Sequence, residues 1–183
     1  QRATNRASED EYGGPIMSAE SRSEADQDPL VVQLVPSQVS VSYLSSLLRV
    51  VQAGLREVAR SDDGTRRQFD RQPQPMLLLS MATDGDGLRL HFIFADPSGE
   101  TPMAELSSRT FGAFLDSFTQ FVTGLPQPGL WGGAALRSRQ APFESELTRR
   151  MDQVYRELRR STKATMSFRG RTIEVEGDRL EIA

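Results

Sequence analysis

His91 is the single histidine of the chain and its one side chain whose ordinary pKa lies near neutrality, so any imidazole proton transfer has to run through it. In a hairpin whose loop is Asp84-Gly85-Asp86-Gly87, His91 falls across from Ser80. Arg89 lies two residues away on the same face, and Asp96 just past the strand end. Such a pair suggests serine as nucleophile and imidazole as base. Geometry argues against that chemistry, because a cross-strand pair in mid-sheet is poorly exposed and no G-x-S-x-G turn presents the serine. The sequence therefore favours a hydrogen-bonded core or surface histidine, and no catalytic residue is assigned.

Metal and phosphate chemistry fare no better. Asp84-Gly85-Asp86-Gly87 has a faint calcium-loop look, but Ala95 stands where the twelfth-position acid belongs, and Asp and Gly are what hairpin turns use. Cysteine is absent, which excludes disulfides, thiolate nucleophiles and cysteine-based zinc or iron-sulfur sites. Gly124, Gly129, Gly132 and Gly133 lie in a loop that opens a helix, yet the loop lacks both the Gly-Lys-Ser/Thr ending of a P-loop and the spacing of a dinucleotide site. No metal and no cofactor is expected. Trp131, the sole tryptophan, sits in that loop and either caps the core or contacts a partner.

Charge supplies one further pattern. Arg149, Arg156, Arg160 and Lys163 recur at i, i+7, i+11 and i+14 on the last helix, and Arg169 and Arg171 continue the stripe into the following hairpin loop. Six such cations could neutralise phosphates. Asp152 and Glu157 interrupt the stripe, and no aromatic residues interleave with it. An arginine-rich protein also decorates solvated faces with such charges by default. Lys163 is the one lysine and Asn5 the one asparagine, a bias expected of a GC-rich coding sequence and hence of a bacterial source.

Of the net charge of −3, residues 1–29 hold −4, from seven acids against three arginines, which leaves +1 for the remainder. Their polar, acidic composition predicts a disordered tail. Tyr12-Gly13-Gly14 is encodable by a purine-rich ribosome-binding sequence two codons ahead of Met17, so residues 1–16 read either as translated leader before a start at Met17 or as an ordinary acidic extension. Residues 30–183 read as one domain, with no apolar run of membrane-spanning length and no secretory signal. A cytosolic location is expected.

The positioning elements follow from periodicity. Leu30 to Val35 is a short apolar strand ended by Pro36. Leu44, Leu47, Leu48, Val51, Leu55 and Val58 form one helix face behind a Ser40 or Ser42 cap, weakened only by Gly54. Ser61 to Pro75 reads as a polar loop long enough to be functional. The hairpin pairs Leu77 with Phe94, Leu79 with Phe92 and Met81 with Leu90. Both its faces are largely apolar, which predicts two central strands. Phe111 to Leu125 carries a phenylalanine stripe read as core, and a last helix runs from about Pro142 to Ser161. Loops at Gly170-Arg171 and Gly177-Asp178 place Met166 opposite Val175 and Leu180, and Phe168 opposite Ile173 and Ile182.

The resulting order, β-α-β-β-α-α-β-β-β, predicts an α+β fold with a mostly antiparallel sheet covered by three helices and closed by a three-stranded meander. Its first part has the layout of a split βαβ sandwich. With no chemical signature of comparable quality, the sequence favours a small non-enzymatic interaction or assembly module. Its partner would be a protein or a second copy, met through the Trp131 loop, the 61–75 loop or exposed sheet edges. The alternatives are a nucleic-acid or polyanion binder using the basic stripe, and an enzyme whose carboxylates the sequence does not single out.

Overall fold

Strict alternation sets the sheet. In β1 (Leu30–Val35) the side chains of Leu30, Val32 and Leu34 are fully buried while Val31, Gln33 and Val35 are half-buried on the opposite face. The same alternation recurs in β3 (Gly87–Ala95), β4 (Lys163–Phe168) and β5 (Arg171–Glu176). Together with β2 (Met76–Asp84) and β6 (Arg179–Ile182) they form one antiparallel sheet of order β2-β3-β1-β4-β5-β6. The structure is a computed structural model that describes residues 28–62, 66–67, 69–70, 73–125 and 145–183. The expected acidic tail, the leader before Met17 and the Trp131 loop lie outside the described residues.

Strand β3 inserts between β1 and β2, which run parallel to each other, and this is the split βαβ arrangement that the element order implies. The hairpin register is the expected one throughout, Ser80 opposite His91 included. Its loop is shorter than expected, Gly85 and Asp86 alone, with Asp84 paired to Gly87 and Gly85 at φ 60°. Only one of the two strands is central. β3 has a neighbour on each side, whereas β2 ends the sheet. The apolar character of both faces sets which residues sit back to back, but it does not place a strand among its neighbours.

Helices α1 (Val41–Ser61), α2 (Ala104–Thr123) and α3 (Glu146–Leu158) cover one face. Ser40 caps α1 by accepting the amide of Tyr43 at 3.2 Å, and Ser145 caps α3 through the amide of Thr148 at 3.1 Å. The described part of α3 is therefore shorter than the expected Pro142–Ser161: its N-cap is Ser145, and the chain leaves the helix at Arg159. Helix α2 starts seven residues before the phenylalanine stripe, because Leu106 and the buried Ser107 and Thr110 carry its first turns into the core. Ser107 Oγ earns its burial by accepting the Phe94 amide at 3.0 Å, whereas the Thr110 hydroxyl is buried with no partner. Thr110→Val keeps the shape and removes the orphaned hydroxyl, so the thermal midpoint should rise by an amount corresponding to about 1 kcal/mol. A fall would show that the hydroxyl is bonded in solution.

Gly54 sits where α1 meets both other helices: a Cβ there would lie 2.8 Å from Phe114 Cε2 and 3.3 Å from Met151 Cε. The residue that weakens α1 as an isolated helix is the one that lets the helices close. Tyr43, at the other end of α1, donates its hydroxyl to the Glu157 carbonyl at 3.0 Å, and its burial pushes that hydroxyl's pKa up. The 61–75 segment is more than a polar loop. Arg66, Arg67 and Phe69 are helical, and Phe69 enters the core edge-on to Phe94 at 5.5 Å.

The closing meander forms with one register corrected. The β4–β5 turn is Arg169-Gly170, with φ of 50° and 77°, so Met166 opposes Ile173 and Ala164 opposes Val175. Positive φ at both positions is the type I′ requirement, and the slip by two residues leaves every side chain on its expected face. Val175 opposite Leu180 and Ile173 opposite Ile182 stand as expected.

Candidate interaction surface

Strand β2, of sequence MLLLSMATD, carries no proline and no charge before Asp84. Natural sheet edges are usually blunted by charge, proline, a bulge or shortness, and the opposite edge obeys that rule. β6 spans four residues, two of them Arg179 and Glu181, and Ala183 is tied back by a reciprocal pair of amide bonds with Thr172 at 2.9 Å. β2 is nine residues long. A two-residue hairpin loop makes its closing pair, Asp84 and Gly87, a hydrogen-bonded one, so the even-numbered residues of β2 bond to β3. Leu77, Leu79, Met81 and Thr83 then point their N–H and C=O groups outward.

The side chains along this edge are apolar on both faces. On the helix side Leu79 is 37% and Met81 58% exposed, and on the other side Met76 is 44% exposed. Among the described residues no helix packs closely over β2. Between it and α1 runs an open groove of about 410 Å³ lined by Ser45, Leu48, Gln52, Leu77, Leu79 and Phe92, with Arg49 at its margin. The surface can bond a backbone and bury apolar side chains, and the one charge lining it is that of Arg49.

On the face that no described helix covers, His91 stands between Ser80 on β2 and Val31 on β1. Its Nε2 is buried with no hydrogen-bond partner, so no Ser80–His91 dyad is formed. Asp96 is no third member, since its carboxylate organises its own turn. Oδ1 accepts from Ser98 Oγ at 2.7 Å and from the amides of Glu100 and Thr101 at 3.1 and 3.3 Å. The Ser98 hydrogen bond, followed by the amides, lowers its pKa from 3.8 to about 2. A depressed carboxylate stabilises the fold above its ordinary pKa and loses that contribution as pH falls, here between about 4 and 2. A carboxyl-detected NMR titration should give Asp96 a midpoint near pH 2; an ordinary midpoint would show the turn open in solution.

Each member of the basic stripe already holds an acid. Arg149 pairs with Glu146 at 2.6 Å and Arg156 with Asp152 at 2.7 Å within α3, and Arg160, just past its end, reaches back to Glu157 at 2.8 Å. Lys163 pairs with Glu174 at 2.8 Å, Arg169 with Asp28 at 2.8 Å and Arg171 with Asp116 of α2 at 2.7 Å. Their bonds to Glu146 and Glu174 push the pKa values of Arg149 and Lys163 up. The six also diverge, since Lys163 lies on the uncovered face while Arg171 reaches across to α2.

A different set of arginines escapes this pairing. Arg49, Arg56 and Arg60 are exposed on α1 at i, i+7 and i+11, with no ion pair to a described residue. Arg49 joins Arg150 and Arg156 around a second open groove, of about 320 Å³, between α1 and α3. The spacing was as visible in the sequence as that of the α3 stripe. Among the described residues no group of acids or histidines could hold a metal ion, and no helix is long and apolar enough to cross a membrane. Comparison with protein-family models, with curated proteins and with solved structures gives no match for this chain.

Proposed function

We propose that the chain is a small non-enzymatic assembly module whose contact surface is the β2 edge together with the groove beside α1. The observation that carries this reading is a nine-residue edge strand without charge before its last residue, Asp84, and with apolar side chains exposed on both faces. Its sequence has the character of a central strand, and a partner along the edge would supply the missing neighbour. The reading puts the module in a bacterial cytosol, in keeping with the arginine bias and the absence of cysteine.

A second reading, polyanion binding, draws on the α1 arginines that hold no ion pair to a described residue, and less on the α3 stripe, whose charges are offset by their own acids. Light scattering on the full chain at low and high salt, with absorbance at 260 and 280 nm, separates the two. The assembly reading expects a mass above 20.4 kDa that persists in salt. That mass should be lost in Leu79→Lys/Met81→Lys, with stability changed by less than about 0.5 kcal/mol because both positions are exposed. A salt-labile 260 nm excess would favour the arginines instead.

A further inference from the structure

We infer that the partner along β2 is a second copy of this chain, paired antiparallel about a two-fold axis through Ser80. The inference rests on the assembly reading above and goes further by fixing partner and register. A strand that completes this edge must offer apolar residues on the helix side, small or apolar residues on the other, and no charge against the middle of the strand. β2 meets that description itself. With Ser80 on the axis, Leu79 faces Met81 of the second copy, Leu78 faces Ala82 and Leu77 faces Thr83.

The backbone agrees with this register. The residues whose amides and carbonyls point outward are Leu77, Leu79, Met81 and Thr83, and the pairing matches each of them with another of the same set. Every outward group between Leu77 and Thr83 then gains a partner. A two-fold axis perpendicular to the sheet keeps the helices of both copies on one side. The exposed Leu79 and Met81 of each copy therefore gather into one apolar patch, and the groove beside α1 closes over it.

A nine-residue strand is about 30 Å long and a sheet layer about 10 Å deep, so the strand edges alone bury on the order of 300 Å² from each copy, to which the ladder of backbone hydrogen bonds and the Leu79 and Met81 patch add. β6, short and charged, offers no comparable edge, so association stops at two copies instead of propagating.

Because the chain contains no cysteine, one engineered thiol reads the register directly. In an antiparallel pair that is not hydrogen-bonded, opposed Cα atoms lie about 4.5 Å apart, within disulfide range. Full-length Ser80→Cys should form a covalent dimer on oxidation, while Leu78→Cys and Ala82→Cys, which face each other and not themselves, should do so only when mixed. By light scattering the native chain should have twice the mass of 20.4 kDa, Leu79→Lys and Met81→Glu should each be monomeric, and their double variant should dimerise again. A native chain that stays monomeric up to the highest soluble concentration, with Ser80→Cys not crosslinking, overturns the second copy while leaving the edge open to a different protein. A dimer that survives Leu79→Lys, with Ser80→Cys not crosslinking, overturns the edge reading itself.

Discussion

Phe111→Ala should lower the unfolding free energy by about 3–5 kcal/mol, the range for removing a buried aromatic. Phe111 is fully buried on α2, stacks on Phe94 of β3 at 5.4 Å and meets Phe168 of β4 edge-on at 5.8 Å. Phe94 in turn holds Phe69 at 5.5 Å, so one ring joins a helix, two strands and the segment after α1. Truncation leaves a void that four separately anchored elements cannot collapse to fill, which puts the cost toward the upper part of that range. Urea unfolding would measure it as a fall in midpoint at unchanged slope. A loss below about 1 kcal/mol would mean that the aromatic chain is not continuous in solution.

Gly54→Val should be the second most damaging exchange, although helix propensity alone favours any ordinary residue over glycine by up to about 1 kcal/mol. The Cβ would stand 2.8 Å from a Phe114 ring that is itself fully buried, and the branched methyls would meet Met151 and Val154 as well. Overpacking of this kind costs about 1–3 kcal/mol or more, so the net effect is destabilising. Coupling identifies the cause. In a Phe114→Leu background the smaller side chain makes room, and the double variant should lose at least about 0.5 kcal/mol less than the two single losses combined. Strict additivity would place the damage elsewhere than in the ring contact.

How much of this was legible depends on whether the controlling contact is local. The β2–β3 register and the capping of α1 by Ser40 follow from alternation and turn chemistry within a short stretch, and both stand as the sequence implies. The position of β2 at the edge does not follow, because alternation reports which side chains share a face and says nothing of lateral neighbours. Phe69 is a lone aromatic in a polar stretch, and no periodicity marks it for the core. The first turns of α2 were hidden for the opposite reason: Ser107 and Thr110 are buried while polar.

The charged groups divide the same way. Glu146, Asp152 and Glu157 lie three or four positions from the arginines they neutralise, so half of the stripe's compensation was readable along one helix. Asp28, Asp116 and Glu174 come from three other parts of the chain and became visible only with the fold.

The place of β1 between β3 and β4 also has a consequence for synthesis. β1 and β3 can meet once β3 (Gly87–Ala95) has emerged, but the other side of β1 waits for β4 (Lys163–Phe168). Nascent chains therefore carry two bare strand edges throughout the synthesis of the segment between β3 and β4, a condition that slows folding and invites wrong pairings. The last twenty residues close the first of these edges in cis. Among the described residues no strand closes the second, β2, so if two copies meet there, folding ends only when a second molecule arrives, and its last step depends on protein concentration.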